Sequence, residues 1–389
     1  EWLLICSNIK DFKLVNDLFG LEKGNEVLKM EADLLKAQCG EGSVYGRTGG
    51  DKFAICIPKE EFKEQDFMDA IQTMGHAFNN DLYHLHIYVG VYEITDRNEE
   101  VSIMCDKANL AIKTLGENYD KSIAYYNDTI FHDTVAEKQL VGDFDKALAE
   151  KQFCMYLQPQ VNRDGAAKGA EALVRWAHPS RGILTPYAFI DILENAGLIY
   201  KLDLYIWEKA AQKLAEWKEK GYGSYHISVN ISTKDFYIID IYETFTGLIN
   251  KYGIAASNLH LEITETTLMT DFEKNMNIIH KLQNVGFRVE IDDFGSGYSS
   301  LNMLKDISAD VLKIDMGFLR KSENEVKRQD ILESIITLAG KIGMDVITEG
   351  VETKKQLDML TMMGCHEFQG YYFSKPIPVE EFEQKYMNE

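Results

Sequence analysis

No apolar run in the chain approaches the roughly 18 residues that would signal a membrane-spanning helix. No Cys-x-x-Cys pair occurs either; the six cysteines, Cys6, Cys39, Cys56, Cys105, Cys154 and Cys365, are dispersed. That spacing excludes a disulfide framework and a cysteine zinc site, and it fits a reducing cytoplasm. Basic residues are also in deficit, with 41 Lys and Arg against 62 Asp and Glu and a formal charge of -21. Duplex DNA or RNA and anionic membranes need clustered Lys and Arg, so neither is expected as a partner, and a phosphate ligand would need metal to help hold it. No G-x-G-x-x-G follows the first strand-like run, which leaves a doubly wound open sheet without support. An initiator Met and a basic signal-peptide start are missing, and Glu1-Trp-Leu-Leu-Ile-Cys6 reads as a strand already under way. The chain is therefore expected to be a piece of a longer protein, whose preceding region could include a sensor or a membrane anchor.

What is present is a soluble globular composition, 45% hydrophobic over 389 residues, long enough for two domains. Up to about residue 130, strand-like runs (Trp2 to Ile9, Ser43 to Arg47, Phe53 to Pro58, His84 to Ile94) alternate with helical stretches such as Lys23 to Gln38. That is the form of an α+β domain, a sheet covered by helices. Residues 131–150 read as a charged linker running into an amphipathic helix, with Leu140, Phe144, Ala147 and Leu148 near one face. From 151 to 389 the pattern becomes strand then helix, repeated, with strands at Met155 to Val161, Gly169 to Trp176, Ile227 to Ile231, Leu259 to Thr264, Arg288 to Phe294, Val311 to Asp315, Asp345 to Gly350 and Glu367 to Ser374. About eight strands separated by amphipathic helices predict a TIM-type (β/α)8 barrel.

The most informative stretch is Arg288-Val-Glu-Ile-Asp-Asp-Phe-Gly-Ser-Gly-Tyr-Ser-Ser-Leu301, in which an apolar strand ends in two adjacent acids and a glycine-rich loop. Gly295 and Gly297 allow that loop conformations that a Cβ resists. Nearly every barrel strand carries a polar residue near its end: Glu171, Asn230, Glu262, Asp292 with Asp293, Lys313 with Asp315, Glu349 and Gln369. Any one of these alone reads as a surface ion pair or a capped turn. Together they converge on the C-terminal mouth, where barrels place their chemistry. Acids and an amide are hard oxygen ligands, suited to Mg²⁺ or Mn²⁺. Asp292 beside Asp293 could bridge two such ions, with Lys313 holding a water or neutralising charge on a phosphate. Chemistry alone also admits an enolase-like proton abstraction by a strand-end lysine.

Two sets of motifs resemble known families. Arg47-Thr-Gly-Gly-Asp-Lys-Phe53, together with Asn8-Ile-Lys-Asp-Phe-Lys-Leu-Val-Asn-Asp-Leu-Phe-Gly20 and Lys113-Thr-Leu-Gly-Glu-Asn118, resembles a GGDEF, or diguanylate cyclase, domain. Its departures imply lost cyclase activity. Lys52 stands at the acidic fourth signature position, Asn8 at a metal-binding Asp, Asn25 at an Asp that reads guanine, and Glu117 at a basic residue. The inhibitory RxxD motif is missing, with Gly40 and Ser43 at its spacing, and so is the family's opening helix. Asn16 and Lys113 survive, which leaves GTP binding as a regulatory input.

Further on, Glu171-Ala-Leu-Val-Arg-Trp176, Gln158-Pro159, Asn230-Ile-Ser232, Glu262-Ile-Thr-Glu265, Asp292-Asp-Phe-Gly295, Lys313-Ile-Asp315, Glu349-Gly-Val-Glu352 and Gln369-Gly370 resemble the EAL family, in order, over residues 138 to 389. The resemblance implies a phosphodiesterase that opens cyclic di-GMP to linear pGpG. It implies that Glu171, Asn230, Glu262 and Asp292 hold one metal and that Asp292 and Asp293 hold a second. Lys313 and Glu349 would serve the attacking water, Gln369 the surrounding network, and Gln158, Arg175 and Asp315 the substrate. Glu265 and Glu352 would fix the glycine loop. The family also contains receptors that bind cyclic di-GMP without cleaving it, usually after losing a ligand or loop acid, and homodimers through the barrel domain are common in it.

Overall fold

Alternate residues of the strand β1 (Trp2–Ile9) serve two hydrophobic cores. Leu3, Ile5 and Ile9 share one with Val15, Val27 and Leu35 of the helix Phe12–Ala37; Leu4 and Cys6 share the other with Met104, Ala108 and Ile112 of the helix Val101–Lys113. With β2 (Val44–Gly49), β3 (Lys52–Pro58), β4 (Ile87–Glu93) and β5 (Ile123–Tyr125), β1 builds a five-stranded sheet ordered β2-β3-β1-β4-β5. Only the β4–β5 pairing is parallel. The Gly49-Gly50 turn joins β2 to β3 as a hairpin, closed by Arg47 Nε donating to the Gly50 carbonyl at 2.7 Å. The first long helix begins at Phe12, not Lys23, because Gly20 (φ 84, ψ 162) breaks the helical pattern without ending the element.

The computed structural model describes residues 1–78, 84–116, 121–294, 307–315, 317 and 325–387. Glu117 and Asn118, and Gly295, Gly297 and the rest of the glycine loop to Leu301, lie outside them. The chain divides into two units, Glu1–Gln139 and Leu140–Glu389, within the helix Asp128–Ala149.

In the second unit, β6 (Phe153–Val161), β7 (Ala167–His178), β9 (His226–Ile231), β10 (Leu259–Thr264), β11 (Val289–Phe294), β12 (Val311–Ile314), β13 (Asp345–Thr348) and β14 (Glu367–Phe368) close into a barrel. Two short strands, β8 (Gly182–Leu184) and β15 (Ile377–Pro378), add to its rim. One strand departs from the repeated strand-then-helix pattern. β6 runs antiparallel to both β7 and β14, because a tight turn and not a helix follows it. Asn162 Oδ1 accepts from the backbone N–H groups of Asp164 (2.9 Å) and Ala166 (3.0 Å), and Gly165 takes φ 86, a conformation glycine adopts freely.

The barrel strands bury their Val, Ile and Leu residues with the helix core: Val229, Leu261, Ile263, Ile291 and Leu312 join Trp207 and Leu214 of the helix Ile199–Glu219. The intervening residues are therefore left for the barrel axis, and they are polar. That reversal of the usual aliphatic filling is what creates a site.

Candidate functional site

Parallel register sets Glu262 beside Asn230 on one neighbour and Glu290 on the other, while the β6–β7 pairing sets Gln158 beside Glu171. At the centre stands Lys313, wholly buried on β12. Its ammonium nitrogen lies 2.8 Å from Glu349 Oε1, 3.0 Å from Glu262 Oε2, 3.1 Å from Asp292 Oδ1 and 3.6 Å from Glu171 Oε2. Asn230 Nδ2 donates to Glu171 Oε1 at 3.1 Å, and Gln369 Nε2 donates to the other oxygen of Glu171 and, at 3.3 Å, to Gln158 Oε1. Asp292, Asp293 and Glu349 each present a carboxylate oxygen within 4.8 Å of the others'.

One ammonium cannot balance four carboxylates, and the ionisation of the cluster reflects this. Burial, and after it Glu171, pushes Glu262 well above the ordinary carboxyl range. Burial pushes Glu349 up to about 8, and burial followed by Asp292 raises Asp293. Burial alone would lower Lys313, but Asp292, Glu171, Glu262 and Glu349 hold it well above its usual value. Glu262 Oε1 is buried with no hydrogen-bond partner. An orphaned acceptor amid excess negative charge, made wholly of oxygen donors, fits hard divalent cations such as Mg²⁺ or Mn²⁺.

The cluster opens into a cavity of about 340 Å³, lined by Gln158, Glu171, Asp292, Asp315, Glu349, Glu352 and Gln369, within the size range of small-molecule sites. Arg175 is not among its lining residues; half-buried further along β7, it donates to the Val174 carbonyl at 2.8 Å and lies 5.4 Å from the Tyr156 ring centre. Glu265 starts the short helix Glu265–Thr270 after β10 and does not line the cavity either. The loop that Glu265 and Glu352 are expected to fix lies outside the described residues. Sequence reasoning assigns no role to Leu173 and Tyr371, which line the cavity. Gly370 could have pointed to the second: a Cβ there would sit 2.3 Å from the Val351 backbone, so this segment packs directly behind the site.

The EAL domain family model matches residues 141–376, and the model described as diguanylate cyclase, GGDEF domain, matches residues 1–121. Over 389 residues the chain is 28% identical to the bifunctional diguanylate cyclase/cyclic di-GMP phosphodiesterase MucR of Pseudomonas aeruginosa, covering 98% of this chain and 56% of that protein. It is 29% identical over 385 residues to the cyclic di-GMP phosphodiesterase NbdA of the same organism, covering 97% of this chain and 49% of that protein. The chain thus spans about half the length of the curated relatives it matches. Among solved structures, the c-di-GMP complex of the PaMucR phosphodiesterase superposes with a TM-score of 0.60 at 34% identity, covering 63% of this chain and 99% of that one.

Proposed function

The chain belongs to the EAL domain family, with a GGDEF domain ahead of the EAL domain, and from that premise we propose that its barrel hydrolyses cyclic di-GMP to linear 5'-pGpG. The observation that carries this reading is the convergence of Glu171, Glu262, Asp292 and Glu349 on Lys313 at the mouth of a cavity. Glu171, Asn230, Glu262 and Asp292 would hold one Mg²⁺ or Mn²⁺ ion, and Asp292 with Asp293 a second. When bound, such a pair activates water and offsets charge on the phosphodiester.

The chain's own groups do the rest. Glu349, 2.8 Å from Lys313, accepts the proton that the water gives up, and Lys313 stabilises the charge growing on the phosphate. The water oxygen bonds to phosphorus as the bond to the 3'-oxygen breaks, leaving a 5'-phosphate and a 3'-hydroxyl that takes a proton from solvent. Gln369 and Asn230 hold Glu171 in place through their hydrogen bonds. Gln158 and Asp315, on the cavity wall, and Arg175 are assigned to the substrate, and Glu265 and Glu352 to the support of the loop after Asp293. Glu171→Ala tests the reading. It is expected to abolish turnover with metal present, and full activity in that variant would overturn it.

The GGDEF domain is proposed to make no cyclic di-GMP. Lys52 and Asn8 remove two negative charges from the place where metal and triphosphate would meet. Conversion of GTP to cyclic di-GMP by the purified chain would refute that. GTP as a regulatory ligand there, and a homodimer formed through the EAL domain, belong to the same proposal. Among the described residues, no helix is long and apolar enough to cross a membrane. A cytoplasmic setting rests on the cysteine pattern and on the nature of the nucleotide.

A further inference from the structure

At the opposite, N-terminal end of the barrel strands lies a cavity of about 900 Å³, larger than the one at the mouth. Stepping back along the same strand faces from the mouth, two residues from Glu262 to His260 and from Asp292 to Glu290 and four from Asn230 to His226, leads to three residues that all line this cavity. Glu290 is 0% exposed and His260 4%. His260 Nδ1 meets Glu290 Oε1 at 2.6 Å, its Nε2 lies 3.2 Å from the Ser257 carbonyl, and His226 Nε2 lies 2.7 Å from Gln160 Oε1. The two imidazoles stack at 3.9 Å between centres with their planes 6° apart. Each of the three residues offers a donor atom within 4.8 Å of the others'. Glu290 Oε2 and Gln160 Nε2 are buried with no hydrogen-bond partner. For a carboxylate oxygen in this position that is costly.

We propose that His226, His260 and Glu290 form a second metal site, for a borderline divalent ion such as Zn²⁺, entered through the base cavity and independent of the mouth. Two imidazoles and one carboxylate favour Zn²⁺ over Mg²⁺, whereas the oxygen ligands of the mouth favour the reverse. Three protein ligands leave a fourth position open to water in the cavity. The basic side chains lining the cavity do not compete for Glu290, because Lys168 pairs with Glu367 and Arg288 with Asp345. An ion between His260 and Glu290 replaces the proton they share and widens their 2.6 Å gap to about 3 Å. Parallel stacked rings cannot both aim a lone pair at one ion, so His226 turns out of the stack on binding and releases Gln160. The bound ion ties together the starts of β9, β10 and β11 and stabilises the fold.

The test uses the full chain without a histidine tag, carrying Glu171→Ala and Asp292→Ala to remove mouth ligands, dialysed against Zn²⁺ in excess Mg²⁺. One Zn²⁺ per chain is expected, lost on adding Glu290→Gln or His260→Gln. Co²⁺ in its place is expected to give visible d–d bands without thiolate charge transfer, which separates the site from the six cysteines. No Zn²⁺ above background in the mouth-silenced chain, or uptake unchanged by Glu290→Gln and His260→Gln, would overturn the site. If those two variants do not fold, as judged by far-UV circular dichroism, the Co²⁺ titration of the mouth-silenced chain decides alone: nitrogen–oxygen bands uphold the site, and absent or thiolate bands overturn it.

Discussion

Lys313→Met keeps most of the side chain's length and removes the cation shared by Glu171, Glu262, Asp292 and Glu349. The ammonium is wholly buried and lies 2.8 to 3.6 Å from all four carboxylates. Removing one partner of a buried pair costs about 3–5 kcal/mol because the other charge is left unsatisfied. Here four acids are left, but they can relieve the strain by binding protons, since burial already holds Glu349 near 8 and Glu262 well above the ordinary range. The loss is therefore expected to be about 3–5 kcal/mol near pH 7. Mn²⁺ is expected to restore part of it, by replacing the missing positive charge. Urea unfolding followed by far-UV circular dichroism at pH 7, with chelator or Mn²⁺, measures both effects. Lys251→Met serves as the control, because Lys251 and Glu208 form an exposed pair whose loss is expected to leave the urea midpoint unmoved. A Lys313→Met chain that unfolds at the parent's midpoint at pH 7 would refute the reasoning.

Glu31, buried in the first unit with Ser7 Oγ donating at 2.6 Å, is pushed by burial from 4.5 up to about 7. The fold thus favours its neutral form, so its contribution is full below about 4.5 and is lost as pH rises through 7, a swing of about 3 kcal/mol. Glu31→Gln is expected to flatten the full chain's urea midpoint between pH 5 and 8, and parallel profiles for parent and variant would count against this. A Cβ on Gly90 would lie 1.8 Å from the Ala108 carbonyl oxygen. Gly90→Ala is accordingly expected to cost about 1–3 kcal/mol in the same assay, and an unchanged midpoint would contradict the close approach of β4 to its helix. Asp293 sits at φ 56, a left-handed conformation that Asn also tolerates, so Asp293→Asn removes charge without strain. It is expected to raise the Mn²⁺ concentration for half-activation about tenfold; no change would remove Asp293 from the ligand set.

Much of the barrel is legible from strand alternation. Leu259–Thr264 reads to its ends because apolar residues bracket single polar ones, and the same period turns Glu171, Glu262, Asp292 and Lys313 into one cluster. The reversed β6 is not legible from hydrophobicity, which carries no direction. Its signal lies in the turn Asn162-Arg-Asp-Gly165, where the Asn side chain caps the backbone. His226, His260 and Glu290 lie on the same strand faces as the mouth residues, but a reading confined to the C-terminal ends of strands passes over them. The early start of the helix Phe12–Ala37 is hidden by Gly20 and Gly24, whose weak helix propensity masks packing that stabilises the element anyway. A Cβ on Gly24 would lie 2.0 Å from Asn16 Oδ1, so the Asn16 side chain would have to move to admit one.

The most direct test of the central claim is incubation of the chain with cyclic di-GMP and Mg²⁺ or Mn²⁺, with and without chelator, and chromatographic resolution of the products. Linear pGpG that forms with metal and disappears with chelator is the expected result. Tight binding of cyclic di-GMP with no product under either condition would contradict it and leave a receptor in place of an enzyme.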